Sequence, residues 1–205
     1  MSLFSRTPAE ASQPNRYGLQ KLPPGQMYTT KFPVMTYGPT PIIETEVWQL
    51  AIGGLVTEKK VWSWEEFMGL PQTTMVADFH CVTHWSRFDD EWTGVMFRDF
   101  YEAIRHLLSP NVTHVLQRAY GGYTTNLPLD WMLNEDVMLA HTFNGHPLPP
   151  EHGGPARVFT PKRYAWKGAK WIHTLDFLEH DQPGFWEQNG YSNTANPWSE
   201  ERYWE

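Results

Sequence analysis

The sequence predicts a single α+β domain, built from mixed strands and a few short helices, with an irregular N-terminal arm. Three observations lead there. Short runs with strand-like alternation or β-rich composition outnumber the segments with helical period. Fifteen glycines and 17 prolines punctuate those runs and mark frequent turns. A chain of 205 residues can bury most of the apolar surface of one domain, and 11 tryptophans, nine tyrosines and 11 phenylalanines supply bulky core material and amphipathic walls for a cleft.

The elements follow in order. Residues 1–30 carry Pro8, Pro14, Pro23, Pro24 and Gly25 among polar residues without periodicity and are read as the arm, leaving 31–205 as the domain. Trp48 to Ile52 alternates as a strand and Gly53-Gly54 ends it. Ser63 and Glu66 have capping-box spacing for a short helix to about Leu70. Thr73 to Phe79 is β-rich and delivers the chain to Cys81, the only cysteine. Phe97, Phe100, Tyr101, Ile104, Leu107 and Leu108 share one helical face. Val112–Ala119 reads as a strand, Leu129–Leu133 as a helical turn and Val137–Phe143 as a strand closed by an Asn144-Gly145 turn. Ala156–Thr160 and Lys170–Phe177 complete the strands.

Charge and composition exclude several classes. A formal net charge of −7 argues against general nucleic-acid binding, which depends on neutralising phosphates. No apolar run approaches the ~20 residues of a membrane helix. With no signal-peptide core and no twin arginine, the chain as given reads as cytoplasmic. One cysteine forbids an intramolecular disulfide, a four-cysteine zinc site and an iron–sulfur cluster. Against the acidic average, Arg157, Lys162, Arg163, Lys167 and Lys170 cluster in a window without a single acid. Such a patch suits an anionic ligand smaller than a nucleic acid, or else forms a solvated loop.

The chemistry centres on Phe79-His80-Cys81-Val82-Thr83-His84-Trp85-Ser86. A cysteine at the end of a strand holds a ligand accurately, and its soft thiolate suits sulfur-preferring metals. From this segment alone, three other readings of Cys81 are open: an inert buried residue, which a lone cysteine most often is, a zinc ligand with His80 and His84, or a thiol nucleophile activated by a histidine. Two later clusters bear on the choice. Gly121 to Leu129 is a turn rich in hydroxyls whose glycines allow close backbone approach to a ligand. Asn144 to Arg157, running on to Lys167-Gly168-Ala169-Lys170-Trp171, is a long Pro/Gly-rich connection carrying histidine and cations that suit a phosphate and polar ring edges. A connection of this length without regular structure is uncommon unless it is functional.

Taken together, the order Cys…Tyr-x-x-x-Leu-Pro-Leu…Asn-Gly-x-Pro-Leu-Pro-x-x-His-Gly-x-Pro-x-Arg…Lys-x-x-Lys-Trp resembles the molybdopterin domain of the sulfite oxidase family, from about Thr36 to about Tyr191. The Phe-His-Cys-Val-Thr-x-Trp-Ser form is closer to its bacterial sulfite-oxidase-like members. The resemblance implies that fold and a molybdenum–molybdopterin cofactor. It further implies two-electron oxygen-atom transfer, with molybdenum cycling between its +6 and +4 states, on a small substrate that is sulfoxide, N-oxide or sulfite-like. Cys81 is then the metal ligand and, with Tyr123, a catalytic residue. His152 and Arg157 contact the pterin and its phosphate, Gly168, Ala169 and Lys170 close on the same group, and Tyr37, His80, Thr125 and Asn126 complete the expected cofactor contacts. The arginines that follow the cysteine in animal and plant sulfite oxidases are absent here; Arg87 and Arg118 are the candidates to replace them. Without haem, flavin or iron–sulfur motifs, a separate electron-transfer partner is expected. A molybdopterin-binding protein without turnover and a Cys–His thiol hydrolase are the alternatives.

Overall fold

A computed structural model of the protein describes residues 7–204. In chain order its elements are β1 (Met27–Tyr28), β2 (Gln49–Gly54), β3 (Val61–Ser63), α1 (Trp64–Met68), β4 (Thr73–Cys81), β5 (Trp85–Met96), α2 (Phe97–Ile104), β6 (His114–Ala119), β7 (Thr124–Pro128), α3 (Leu129–Met132), β8 (Met138–Phe143), β9 (His146–Pro147), β10 (Arg157–Phe159), β11 (Ile172–Leu178) and α4 (Phe185–Gln188). This is an α+β domain of two mixed sheets. In the first, β5 pairs with β1, β4 and β8, and β8 pairs in turn with β9 and β10. In the second the order is β3-β2-β11-β6-β7, with β2 and β11 parallel.

The first sheet is buried on both faces, because alternate residues of a strand point to opposite sides. On β8, Leu139 enters the core shared with the second sheet, α1 and α2, whereas Met138 and Ala140 enter a smaller core with Phe79, Cys81, Trp85, Trp92 and Phe159. The smaller core lies beside the cysteine. Its aromatic rings stack: Trp92 on Phe159 at 4.2 Å and Phe79 on Trp85 at 5.5 Å.

Most of the expected elements form. The capping box is present, with Ser63 accepting from the Glu66 amide and Glu66 accepting from the Ser63 amide. The helix at Phe97 is α-helical only to Ile104; Arg105–Leu107 tighten into a 3-10 turn. Five strands are not among those expected: the short β1, β3 and β9, and the longer β5 and β7. β5, the longest, is masked in the sequence by Asp89-Asp90-Glu91, where a bulge in its pairing with β4 breaks the alternation and Asp90 is buried by a bidentate contact with Arg87. Thr124–Pro128, read as part of a turn, is strand β7 antiparallel to β6, and only Gly121-Gly122 make the turn. No helix among the described residues is long and apolar enough to cross a membrane.

The N-terminal segment reaches the first sheet. β1 runs parallel to β5, with Met27 opposite Trp85 and Tyr28 opposite Ser86, so it borders the hairpin that carries Cys81.

Candidate active site

Cys81 is the last residue of β4 and pairs with Trp85, the first of β5. The three residues between form a tight turn, with His84 in the left-handed region (φ 67°) and its Nδ1 hydrogen-bonded to the Gly25 carbonyl at 2.9 Å. Two distant segments fix the backbone there. Gln26 Nε2 donates to the Cys81 carbonyl at 3.1 Å, and Arg202 Nη1 donates to the Val82 carbonyl at 2.6 Å. The cysteine is thereby held to its place from both ends of the chain.

Its side chain faces a cavity of about 410 Å³, within the range of small-molecule sites. The walls come from five places: the β4–β5 hairpin, residues 32–37, the Gly121–Tyr123 turn, the stretch from His152 through Lys170, and α4 with Tyr191. Aromatic rings form much of the wall. Phe32 stacks on His152 at 3.7 Å and 6°, and Tyr37 packs on Phe185 at 4.8 Å. Their apolar surface lowers the local dielectric, which strengthens any charge interaction within.

Two cations face this apolar space, and among the described residues neither lies within ion-pair distance of a carboxylate. Arg157, 2% exposed, spends its donors on carbonyls of Val158, His152 and Gly168 at 3.0–3.2 Å. Lys170 donates to the Met35 and Glu151 carbonyls, both at 2.6 Å. Burial pushes Arg157 down to about 10, where it is still charged at neutral pH, and burial, then Arg157, draws Lys170 down to about 7. Burial, with Lys170 and Arg157 nearby, lowers His152 to about 4, so it is neutral at pH 7. Gly153 sits between the cations at φ 112°, where a Cβ would lie 3.0 Å from Lys170 Cβ and 3.1 Å from Arg157 Cβ; only glycine allows both side chains this approach. The rings of Trp85 and Trp166 are in the wall, but their indole N–H groups are buried out of reach of the cavity and have no acceptor. Buried positive charge without a counter-ion is costly. A cavity faced by the buried Arg157 guanidinium and the part-buried Lys170 ammonium suits an anionic guest, which would also favour the charged form of Lys170.

The thiol itself is buried. Burial raises it, while the Thr83 hydroxyl at 3.1 Å and the positive charge of Lys170 and Arg157 act to lower it. Its hydrogen-bond partner is thus Thr83 and not a histidine. His80 points away from the cavity, with Nδ1 on Ser86 Oγ at 2.8 Å and its ring edge-on to Trp198. Among the described residues no group of three His, Cys, Asp or Glu side chains is arranged to hold a metal, as a zinc site with His80 and His84 would require.

Of the residues singled out from sequence, Cys81, Tyr37, Tyr123, His152, Arg157, Gly168 and Lys170 line the cavity together. Tyr123 donates from its hydroxyl to the Trp166 carbonyl at 2.6 Å, and burial, reinforced by Glu187, holds its pKa well above the ordinary value. Ala169 lies behind the wall, its amide donating to Gln117 Oε1 at 2.8 Å. Thr125 and Asn126 are buried on β7 and hydrogen-bonded to Glu187, Asp181 and Asn193 rather than lining the cavity. Arg87 and Arg118 lie outside the wall: Arg87 is engaged by Asp90 and the Thr30 carbonyl, and Arg118 by Asp176. Sequence reasoning missed Phe32, Met35, Trp166, Phe185, Trp186 and Tyr191. Only Trp166, beside Lys167-Gly168, carried a local signal.

Comparison with known proteins places this geometry. Residues 37–186 match the family model described as the oxidoreductase molybdopterin binding domain. The chain is 41% identical over 184 residues to an uncharacterised oxidoreductase, YuiH, of Bacillus subtilis, covering 89% of this chain and 92% of that protein. It is 26% identical over 178 residues to the protein-methionine-sulfoxide reductase catalytic subunit MsrP of Gluconobacter oxydans, covering 77% of this chain but 57% of that one. Among solved structures, the sulfane dehydrogenase SoxCD of Paracoccus pantotrophus superposes with a TM-score of 0.61 at 22% identity, over 69% of this chain and 40% of that chain.

Proposed function

The chain belongs to the family of oxidoreductase molybdopterin-binding domains, and on that premise we propose that it transfers an oxygen atom to or from a small uncharged substrate, with Cys81 as the protein's ligand to molybdenum. When bound, the molybdenum–pterin group supplies the two-electron redox change and the exchange of oxygen. The protein supplies position, charge and dryness.

The observation that carries this reading is the convergence of one thiol and two unpaired cations on an aromatic cavity. The donor set fits the group. A thiolate is a soft ligand, and metal coordination removes its proton despite the burial that raises it. Arg157 and Lys170 would neutralise the anionic part of the group, and neutral His152, stacked on Phe32, would meet its ring edge. Tyr123 remains protonated throughout the physiological range, with its hydroxyl hydrogen given to the Trp166 carbonyl.

Substrate charge follows from the arginines. Sulfite and nitrate are oxyanions that need a free cation beside the metal. Arg87 is committed to Asp90, Arg118 to Asp176, and Arg157 and Lys170 to the cofactor. This favours a neutral acceptor such as an N-oxide or a sulfoxide, the latter being the group in the name of MsrP. With one cysteine in the chain there is no iron–sulfur ligand set, and we assign electron delivery to a separate carrier.

The test is elemental analysis and pterin release on protein from cells that make the cofactor, followed by turnover with an artificial electron donor. About one molybdenum and one pterin per chain are expected, with sulfoxide reduction exceeding sulfite oxidation. Stoichiometric zinc without molybdenum would refute the reading.

A further inference from the structure

Behind the aromatic wall lies a buried ion pair that the proposed chemistry does not use. Lys167 and Glu187 are both 0% exposed at their side chains, with Nζ 2.6 Å from Oε1. Lys167 also donates to Asn126 Oδ1 at 3.0 Å, and Glu187 Oε1 accepts from Thr125 Oγ1 at 2.8 Å. Each member sits within a cavity-lining stretch: Lys167 lies between Trp166 and Gly168, and Glu187 directly follows Phe185 and Trp186. The pair therefore ties one wall of the cavity to another.

That tie matters because α4 cannot place itself. A helix of four residues has almost no stability of its own, so Phe185 and Trp186 stand where tertiary contacts put them. There are two anchors. Gly184 is pressed against β7, where a Cβ would come 2.4 Å from the Thr124 carbonyl oxygen. The other anchor is Glu187. As a stabilising device the pair is poor: burying two charges costs about as much as their attraction returns, and Glu187 Oε2 has no hydrogen-bond partner. Its directional contacts, by contrast, fix the turn of α4 about its axis, which an apolar contact would not.

We propose that Lys167 and Glu187 are positioning residues that hold the Phe185–Trp186 wall against Tyr37 and Tyr191 and thereby set which substrates fit beside the cofactor. Tyr37, 71% exposed, meets Phe185 at 4.8 Å, and Trp186 meets Tyr191 at 4.9 Å. The selectivity half of this inference rests on the function proposed above; the wall placement does not.

The experiment compares the wild-type holoenzyme with Glu187→Gln and with the double variant Lys167→Met/Glu187→Leu, which removes both charges and avoids stranding one. Hydrogen exchange of the Phe185–Gly190 amides reads the wall without any chemistry. It should quicken at least about tenfold in both variants while the β5 and β8 amides are unchanged. Steady-state kinetics with dimethyl sulfoxide and methyl phenyl sulfoxide, with pterin content checked in each protein, read selectivity. KM for the aryl substrate should rise about tenfold in the double variant with kcat within threefold. Wild-type exchange rates in the double variant would overturn the proposal, and so would a loosened wall with both KM values unchanged. If the wild type carries no pterin, the functional reading fails, and the exchange measurement alone still decides whether the pair places the wall.

Discussion

Replacing Lys170 by methionine separates a charge kept for a ligand from one kept for the fold. Methionine approximates the length of the stem and removes the ammonium. Two effects on the cofactor-free protein oppose each other. Burial has drawn Lys170 from its ordinary 10.5 to about 7, a difference worth roughly 5 kcal/mol if fully felt. The side chain is only part-buried, so screening leaves on the order of 1–2 kcal/mol. Against this relief, methionine gives up the contacts to the Met35 and Glu151 carbonyls, worth a similar amount in water-accessible positions. Stability at pH 7 should therefore stay within about 1 kcal/mol of wild type. The folded wild type holds fewer protons than the unfolded chain between about 7 and 10.5, so its stability rises with pH across that window and the variant's relative standing falls there. Cofactor binding has no such compensation. Losing one charge-assisted contact of about 1.5–3 kcal/mol weakens it roughly 10- to 150-fold. The assay is urea unfolding of protein from pterin-deficient cells, followed by titration with released cofactor. A variant that loses stability yet binds cofactor as tightly as wild type would show that the ammonium is a clamp for two carbonyls and nothing more.

Three other outcomes are expected. Cys81→Ser should retain most of its pterin, held by contacts remote from the sulfur, while redox turnover falls more than about 100-fold, beyond the usual loss on removing a ligand's supporting partner; turnover near wild type would exclude the thiolate as the essential ligand. Asp78, beside the bulge of β4, is raised to about 6, chiefly by burial, with Asp89 and Asp90 adding to it. Its folded value lies above its unfolded one, so it costs stability that is fully felt above pH 6 and vanishes below about 3.8; Asp78→Asn, which can still accept from the Asp89 amide, should be about 1 kcal/mol more stable at pH 7.5 and equal to wild type at pH 3.5 by chemical unfolding. Gly94→Ala places a Cβ 2.1 Å from the Leu139 carbonyl oxygen across β5 and β8, a backbone clash expected to cost about 3 kcal/mol; an unchanged urea midpoint would mean that the two strands separate freely where their register shifts between Thr93 and Gly94.

The legible parts of the site were those whose chemistry is local. Cys81 at a strand end, His152 and Arg157 in a Pro/Gly-rich stretch, and Gly168-Ala169-Lys170 each announce themselves by residue type and spacing. What was not legible depends on partners far along the chain. Thr125 and Asn126 sit beside Tyr123 in sequence, yet both turn to Glu187, Asp181 and Asn193, at separations of 55–67 residues. No local pattern distinguishes a hydroxyl facing a guest from one facing a buried carboxylate. Phe185 and Trp186 lie on a helix too short to show a period. Strand β5 was hidden because Asp90 occupies a buried position that its sequence neighbours disguise, and contacts from Arg87 and from Asn144 Nδ2 make that burial tolerable.

The two backbone anchors of the cysteine hairpin bear on the order of assembly. Gln26 reaches Cys81 across 55 residues, and Arg202 reaches Val82 across 120. Neither donor belongs to the hairpin or to the strands beside it in sequence, so the turn after Cys81 is secured only once the domain has closed around it. A disturbance at Arg202 therefore reaches the Val82 carbonyl directly, without passing along β4 or β5.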